Sequence, residues 1–264
     1  MIDIHIHMLP GMDDGAGDMQ EALEMCRVCA EDGVGTVIAT PHDLNGVYSN
    51  DREKVLGSIS VLAEAVKAEG IPVEVLPGAD IAMSPELPER LDDGSVMTLN
   101  DTGKYILLEP PAFFMADALK RQVFEIKRRD ITPVITHPER NATLMTHKDA
   151  LYDAVLAGAL VQVTAASLTG SFGPTVQNHC IELLRRKLAH VIASDSHDTR
   201  SRKPGLSKAL EAAIRHVGEE NARMMVYDRP EAILRGEEFE APEPLRADKK
   251  QGFFSMFLRQ ERSS

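Results

Sequence analysis

The sequence predicts an α/β fold, a TIM-like barrel of seven β/α units, on three observations. Seven short apolar or β-branched runs alternate with stretches of helical periodicity, the signature of parallel strands joined by crossover helices. Six of the seven runs end in a histidine or a carboxylate, and parallel α/β folds collect their active sites at the carboxyl ends of the strands. No phosphate loop of the GxGxxG or GxxxxGK type is present, which argues against a nucleotide-binding open sheet.

The first run opens "MIDIHIHMLPGMDDG". Alternation along a strand sends residues i and i+2 to one face, so His5 and His7 share a face, with Asp3 expected beside them and Ile2, Ile4 and Ile6 opposite. In the following "GDMQEALEMCRVCAEDG", Met19, Leu23, Cys26 and Ala30 recur at helical spacing. The run 34–40 leads into Thr40-Pro41-His42, 73–81 contains Asp80, 105–109 ends on Glu109, and 132–137 ends on His137. The run 159–164 ends without an ionisable group, and 189–195 leads into Asp195-Ser196-His197. Asp51, Ser84, Asp149 and Ser207 fit as caps or first-turn residues of the intervening helices.

His5, His7, Asp14, His42, Asp80, Glu109, His137, Asp195 and His197 are therefore candidate metal ligands; Asp13 competes with Asp14, because "DDG" does not separate them. Five imidazoles and four carboxylates give mixed N/O coordination, suited to Mn, Fe or Zn. Nine ligands exceed what one ion uses, so two to three divalent ions are implied. Three such ions outweigh four carboxylates, leaving a positive cluster that suits a phosphate ester. Arg140 in "HPER" and Arg202 in "SDSHDTRSR" follow His137 and His197 closely, where guanidinium groups can grip an oxyanion; Arg200 rivals Arg202. Clustered divalent ions also acidify bound water toward pH ~7, supplying a hydroxide nucleophile.

Composition narrows the function classes. A net charge of -12 provides no basic field for nucleic acid. No apolar run approaches the ~20 residues of a membrane helix, and the opening lacks the positive segment of a secretory signal. With three cysteines and no disulfide framework, the expectation is a cytoplasmic protein. Residues 1–235 are expected to form the barrel, and 236–264 a charged linker and short tail. There Phe253, Phe254, Met256, Phe257 and Leu258, flanked by lysines and arginines, read either as a segment docked on its own domain or as a contact for a membrane surface or partner.

Two patterns are decoys. Cys180 and Arg186 in "HCIELLRR" have the spacing of a thiolate phosphatase loop, but Ile181, Leu183, Leu184 and Leu188 predict a helix, whose own hydrogen bonds would consume the phosphate-binding N–H groups. Cys26-Arg-Val-Cys29 falls on one face of the first helix and reads as packing. His147, His179, His190 and His216 lie away from the strand ends and read as structural.

Taken together, "HIHMLPGMDDG", "ATPH", "LLEPP", "THPER", "ASLTGSFG" and "HVIASDSH" resemble the polymerase and histidinol phosphatase (PHP) superfamily, and within it the bacterial tyrosine-protein phosphatases of capsular and exopolysaccharide operons. The resemblance spans about residues 1–235. It implies a distorted (β/α)7 barrel and a trinuclear, often manganese-dependent centre. It also implies action on the phosphotyrosine tail of a polysaccharide-assembly tyrosine kinase. By the same resemblance His5, His7 and Asp195 would hold one ion, Glu109 and His137 a second, and Asp14, His42 and His197 a third. Position 80 would bridge the first two, and there the chain departs from the family pattern: "GADI" stands where the family usually has "GQEI", so the carboxylate is one methylene shorter. The alternatives are a phosphoesterase acting on a small, histidinol-phosphate-like monoester, and a weakly active regulatory domain.

Overall fold

The computed structural model describes residues 1–246; the apolar and basic cluster within 248–264 lies outside the described residues. The strands are β1 (Ile2–Ile6), β2 (Thr36–Ala39), β3 (His42–Asp43), β4 (Glu74–Pro77), β5 (Asp80–Ala82), β6 (Tyr105–Glu109), β7 (Thr132–Thr136), β8 (Leu160–Thr164) and β9 (Val191–Ala193). They pair in the order β1-β2-β4 and β3-β5-β6-β7-β8-β9, every pairing parallel. Two of the seven expected runs are thus each split in two. Between β2 and β3 stands Pro41, which has no N–H to give a ladder. Between β4 and β5 stands Gly78, where an added Cβ would lie 2.5 Å from the Ile38 side chain and 3.0 Å from that of Thr40. Only glycine allows the two split strands to come this close.

The last strand returns to the first. Asp195 N donates to His5 O at 2.8 Å, and His7 N donates to Ser196 O at 2.8 Å, forming a parallel bridge between Ile6 and Ser196. The seven strand positions consequently run round from β1 through the split strands to β9 and back.

The expected alternation in β1 fails at one place. Asp3 pairs with Val37 and Ile6 with Ala39, so three steps along β1 oppose two along β2, a β-bulge. Ile4 consequently packs inside the ring with Ile38, Leu107 and Val134, whereas Ile6 packs in the layer under the helices. Asp3 does not share a face with His5 and His7: its Oδ1 accepts from Ser194 N at 3.0 Å and His5 N at 3.3 Å, and its charge reaches Cys29 in the first helix. The extra residue lets two consecutive side chains, Ile4 and His5, point inward.

Helices cover the outside. Met19–Glu31, capped by Asp18 accepting from Glu21 N, buries Ala22, Met25, Cys26 and Cys29. Arg52–Ala68, capped by Asp51 as expected, buries Val55, Ile59, Leu62 and Val66. Each such large side chain fully buried contributes about 1.5–3 kcal/mol relative to exposure. Ser207 does begin a helix, Ser207–Val217, but the cap comes from a distant residue: Asp32 Oδ2 accepts from Leu206 N at 2.5 Å and Ser207 N at 2.9 Å. At the amino-terminal end of the ring, Leu99, Ile233 and the partly buried Phe239 join the inner core. Beyond the helix Asp228–Arg235 the chain stays on the barrel, with Tyr105 Oη donating to Glu237 O at 2.6 Å and Leu245 N to Arg186 O at 2.8 Å. Among the described residues no helix is long and apolar enough to cross a membrane.

His190 is wholly buried, its Nδ1 accepting from Val161 N at 3.0 Å and its carbonyl from Arg229 Nη1 at 2.9 Å. Burial and the Arg229 charge push this imidazole down to about 3. An unfolded imidazole titrates near 6.5, so below that pH the unfolded state takes up a proton that the fold refuses. The stability that the neutral ring contributes is present above pH ~6.5 and is lost as the pH falls toward 3. His190→Asn keeps an acceptor and removes the titration. Urea unfolding at several pH values is expected to show a shallower decline between pH 6.5 and 4 for this variant than for the parent; parallel declines would refute the assignment.

Candidate metal centre

The strand ends bring all nine candidate ligands to one mouth. His5 and His7 arrive on β1, His42 on β3, Asp80 on β5 and Glu109 on β6; His137 follows β7, and Asp195 and His197 follow β9. His137 (φ 34°) and Asp195 (φ 52°) occupy the left-handed region, costly for non-glycine residues and typical of functional sites. Asp14 sits in the loop after β1, a turn packed so closely that a Cβ at Gly15 would lie 2.0 Å from His7 O.

His5 Nε2 lies 3.1 Å from His7 Nε2, and both lie 3.6 Å from Asp195 Oδ1. Asp80 Oδ2 is 3.6 Å from His5 Nε2 and 3.4 Å from His42 Nδ1. Glu109 reaches His42 Nδ1 at 3.5 Å and His137 Nε2 at 3.5 Å. Asp14 Oδ1 lies 3.6 Å from His42 Nε2 and 3.4 Å from His197 Nε2. His7, Asp14, His42 and His197 form one group able to hold an ion, His5, His7 and Asp80 another, and His42, Asp80 and Glu109 a third.

The protonation pattern explains what these groups need. His5 Nδ1 faces Gln162 Oε1 at 3.1 Å, and His7 Nδ1 faces Asp13 Oδ2 at 2.6 Å. Both partners are acceptors, so a ring that is neutral carries its proton on Nδ1 and turns its Nε2 lone pair toward the other ring across 3.1 Å. Both oxygens of the wholly buried Asp80 and Nδ1 of His42 also lack hydrogen-bond partners. Opposed lone pairs beside a bare carboxylate are repulsive unless a cation lies between them. Mixed nitrogen and oxygen donors at these separations fit a first-row divalent ion.

Charge is equally unbalanced. Burial alone would raise Asp80 and Asp195, but His5 reverses this, helped by His42 at Asp80 and by Arg140 at Asp195, and holds both well below the usual carboxylate range. Burial and the Asp80 carboxylate push Glu109 up to about 8. Burial lowers His42, but Asp80 and Glu109 outweigh it and raise this ring to about 9. Burial and Arg140 drop His137 to about 3; burial and His7 drop His197 to about 2.

Arg140 and Arg202 converge on Asp195: an Nη2–Oδ2 contact for Arg140, and 2.8 Å to Oδ1 for Arg202. Both line the same cleft of ≈ 340 Å³ as Asp14, His42 and Glu109, and the Nε of each has no hydrogen-bond partner. Arg200 does not line this cleft. Cys180 is buried in the helix Pro174–Arg185, and burial pushes its thiol well above the ordinary value. Cys26 and Cys29 face the core.

Two supporting residues, Gln162 and Glu139, carry no signal at the strand ends, and the role of a third, Asp13, is separated from that of Asp14 only by the structure. Asp13 is not an equivalent alternative to Asp14: besides His7 it accepts from Gly15 N at 2.9 Å and His42 N at 3.0 Å, and those bonds hold it at about 2 against the burial that would raise it. Gln162 stands in β8, the one run without an ionisable end, and orients His5 while accepting from His137 N at 3.4 Å. Glu139, wholly buried, accepts from Thr164 N at 2.9 Å and ties the His137 loop to β8. A lone amide in "ALVQVT" is the one sequence signal that pointed to such support.

Fold and site together define a barrel protein whose mouth carries candidate metal-binding groups. The model of the capsular polysaccharide synthesis family CpsB/CapC matches residues 1–235, and the chain belongs to this family. It is 37% identical over 256 residues to tyrosine-protein phosphatase YwqE of Bacillus subtilis, covering 96% of this chain and 100% of that protein. It is 27% identical to tyrosine-protein phosphatase CpsB of Streptococcus pneumoniae, over 89% and 98% of the two chains. A structure described as that of YwqE and CpsB, "unique metal-dependent tyrosine phosphatases", superposes with a TM-score of 0.90 at 36% identity, covering 94% of this chain and 100% of the other. A histidinol phosphate phosphatase from Lactococcus lactis shares the fold at a TM-score of 0.54 and 11% identity, over 84% and 94% of the chains.

Outer partners of ligating histidines typically carry 10–100-fold in metal affinity. Asp13→Asn is therefore expected to weaken Mn binding by about 10- to 100-fold in chelator competition while circular dichroism stays that of the parent. Unchanged affinity would rule out the support role.

Proposed function

We propose that this chain is a metal-dependent tyrosine-protein phosphatase that acts on the phosphorylated tail of a polysaccharide-assembly tyrosine kinase in the cytoplasm and so regulates capsule or exopolysaccharide synthesis. The observation that carries the reading is the convergence of nine metal-type ligands at one mouth, where Asp14, His42, Glu109, His137, Asp195 and His197 line a cleft with Arg140 and Arg202 and the buried His5, His7 and Asp80 complete the groups, in a family whose relatives are named for this activity. His5, His7, Asp14, His42, Asp80, Glu109, His137, Asp195 and His197 are the proposed ligands of two to three divalent ions, Mn first, with Fe or Zn as the other candidates. When bound, such ions supply positive charge and water acidified toward neutrality.

The chain's own residues do the rest. Arg140 and Arg202, whose Nε–H donors have no partner while their Nη2 groups rest on Asp195, hold phosphate oxygens, set the phosphorus in line with the attacking oxygen, and balance charge as it develops. Attack forms a P–O bond and breaks the bond to the tyrosine oxygen. The departing phenolate, with a pKa near 10, needs little protonation to leave and takes its proton from water. Phe113, 81% exposed, and Met115, 75% exposed, stand in the loop after Glu109, and the exposed Phe172 packs on Arg140 with 5.0 Å from guanidinium to ring. An apolar rim of this kind suits a phosphate presented on a peptide better than a small polar monoester.

The deciding experiment measures metal per chain and hydrolysis of a phosphotyrosine peptide, before and after chelation and Mn readdition, with histidinol phosphate as the competing substrate. Two to three equivalents and chelator-sensitive peptide turnover are expected. Metal without peptide turnover would move the assignment to the small ester or to a regulatory role. In the same assay Cys180→Ser should retain turnover within about twofold of the parent, since a buried, protonated thiol in a helix is no nucleophile; loss of several orders of magnitude in a folded variant would overturn the metal mechanism.

A further inference from the structure

A second cleft, of ≈ 290 Å³, adjoins the metal centre and shares Asp195 and Arg202 with it as a common wall. Ala165, Ala166 and Ala209 line it with small side chains, and Phe172, whose ring carries the Arg140 guanidinium, stands at its lip. Arg200, Lys203 and Lys208 line it as well, all three exposed.

The acids around this cleft are already engaged. Asp32 caps the helix Ser207–Val217 through Leu206 N, Ser207 N and Ser207 Oγ. Asp195 is held by Arg140 and Arg202. Asp198 accepts from Arg200 N at 2.5 Å and from Ser201 N at 2.6 Å, and those bonds close its own loop. Among the described residues no carboxylate pairs with the side chains of Arg200, Lys203 or Lys208. Three uncompensated cations gathered in one cleft are conspicuous on a chain of net charge -12. Such a field attracts an anion and repels cations.

The cleft is not a second reaction centre, because none of the grouped metal-type ligands lines it. Its place beside the phosphate-gripping arginines instead makes it a neighbour of whatever carries the scissile group. An extended peptide advances ~3.3 Å per residue, so a side chain one or two positions from a phosphotyrosine seated in the first cleft is within reach of the second. Resting on the phosphatase reading above, we infer that this cleft is a subsite for an anionic side chain, carboxylate or phosphate, flanking the scissile phosphotyrosine on the same peptide. Arg200, Lys203 and Lys208 are its specificity determinants, and peptides with an anionic side chain one or two positions from the phosphotyrosine are the substrates it favours.

The test uses the Mn-loaded full chain and three peptides identical except near the phosphotyrosine. One carries neutral neighbours, one glutamate, and one a non-hydrolysable phosphonate analogue of a second phosphotyrosine. Exposed ion pairs being individually weak, kcat/KM for the anionic peptides should exceed the neutral one by about three- to tenfold, mostly through KM, and the preference should shrink as salt is added. Lys203→Gln/Lys208→Gln should erase the preference while leaving p-nitrophenyl phosphate turnover unchanged. A preference confined to the phosphonate assigns the subsite to dianions; equal preference for glutamate assigns it to anions generally. Peptide turnover with no effect of the neighbours, or a preference that survives the double variant, overturns the subsite alone. Absence of turnover on every phosphotyrosine peptide overturns the phosphatase reading and the subsite with it.

Discussion

Two imidazole lone pairs face each other across 3.1 Å at the mouth of the barrel, next to a buried carboxylate without a hydrogen-bond partner. Nothing in the surrounding fold relieves this arrangement; the fold enforces it. Gln162 and Asp13 face the Nδ1 atoms of His5 and His7 as acceptors, so neither ring, when neutral, can turn a donor toward the other. A cation between these donors would relieve the repulsion, and the supporting features hold the donors where one would bind.

Further support comes from the course of the backbone. The bulge in β1 spends one extra residue to send Ile4 into the inner core and His5 into the mouth, while Asp3 turns away to anchor Ser194 N next to Asp195. Pro41 and Gly78 break two strands so that His42 and Asp80 fall in a fresh register pair. His137 and Asp195 leave their strands through left-handed residues, a strain that the Glu139 and His5 backbone contacts over-determine. The parallel bridge between Ile6 and Ser196, just beyond β9, then brings the first and last candidate ligands of the chain together.

The arginines extend the same logic outward. Arg140 and Arg202 both fall on Asp195, so a carboxylate that faces His5 and His7 is also the link between the candidate centre and the arginines at its rim. A phosphate would compete for these guanidinium groups with a carboxylate that metal ions would otherwise share. The cationic cleft beyond them lies against the same residue, so the candidate metal centre, the two arginines and the second cleft all meet at one buried side chain.

Much of this was legible in the order of residues. Strand ends bearing His5, His7, His42, Asp80, Glu109, His137, Asp195 and His197 are a local signal, because the carboxyl end of a parallel strand is where a side chain must face the mouth. Helix caps such as Asp51 and the packing role of Cys26, Cys29 and Cys180 are likewise local, set by periodicity and by the backbone's own hydrogen bonds. What alternation could not show was the bulge, since an extra residue is visible only once a partner strand exists to count against. Choosing Asp14 over Asp13 and Arg202 over Arg200 as lining the cleft required distances between groups far apart in sequence, and so did the roles of Gln162, Glu139 and Asp32. The sequence by itself determined which chemistry the strand ends carry; tertiary structure alone decided which of those groups meet, because hydrogen-bond and charge partners are set by distance in space, and chain order constrains that distance only within an element.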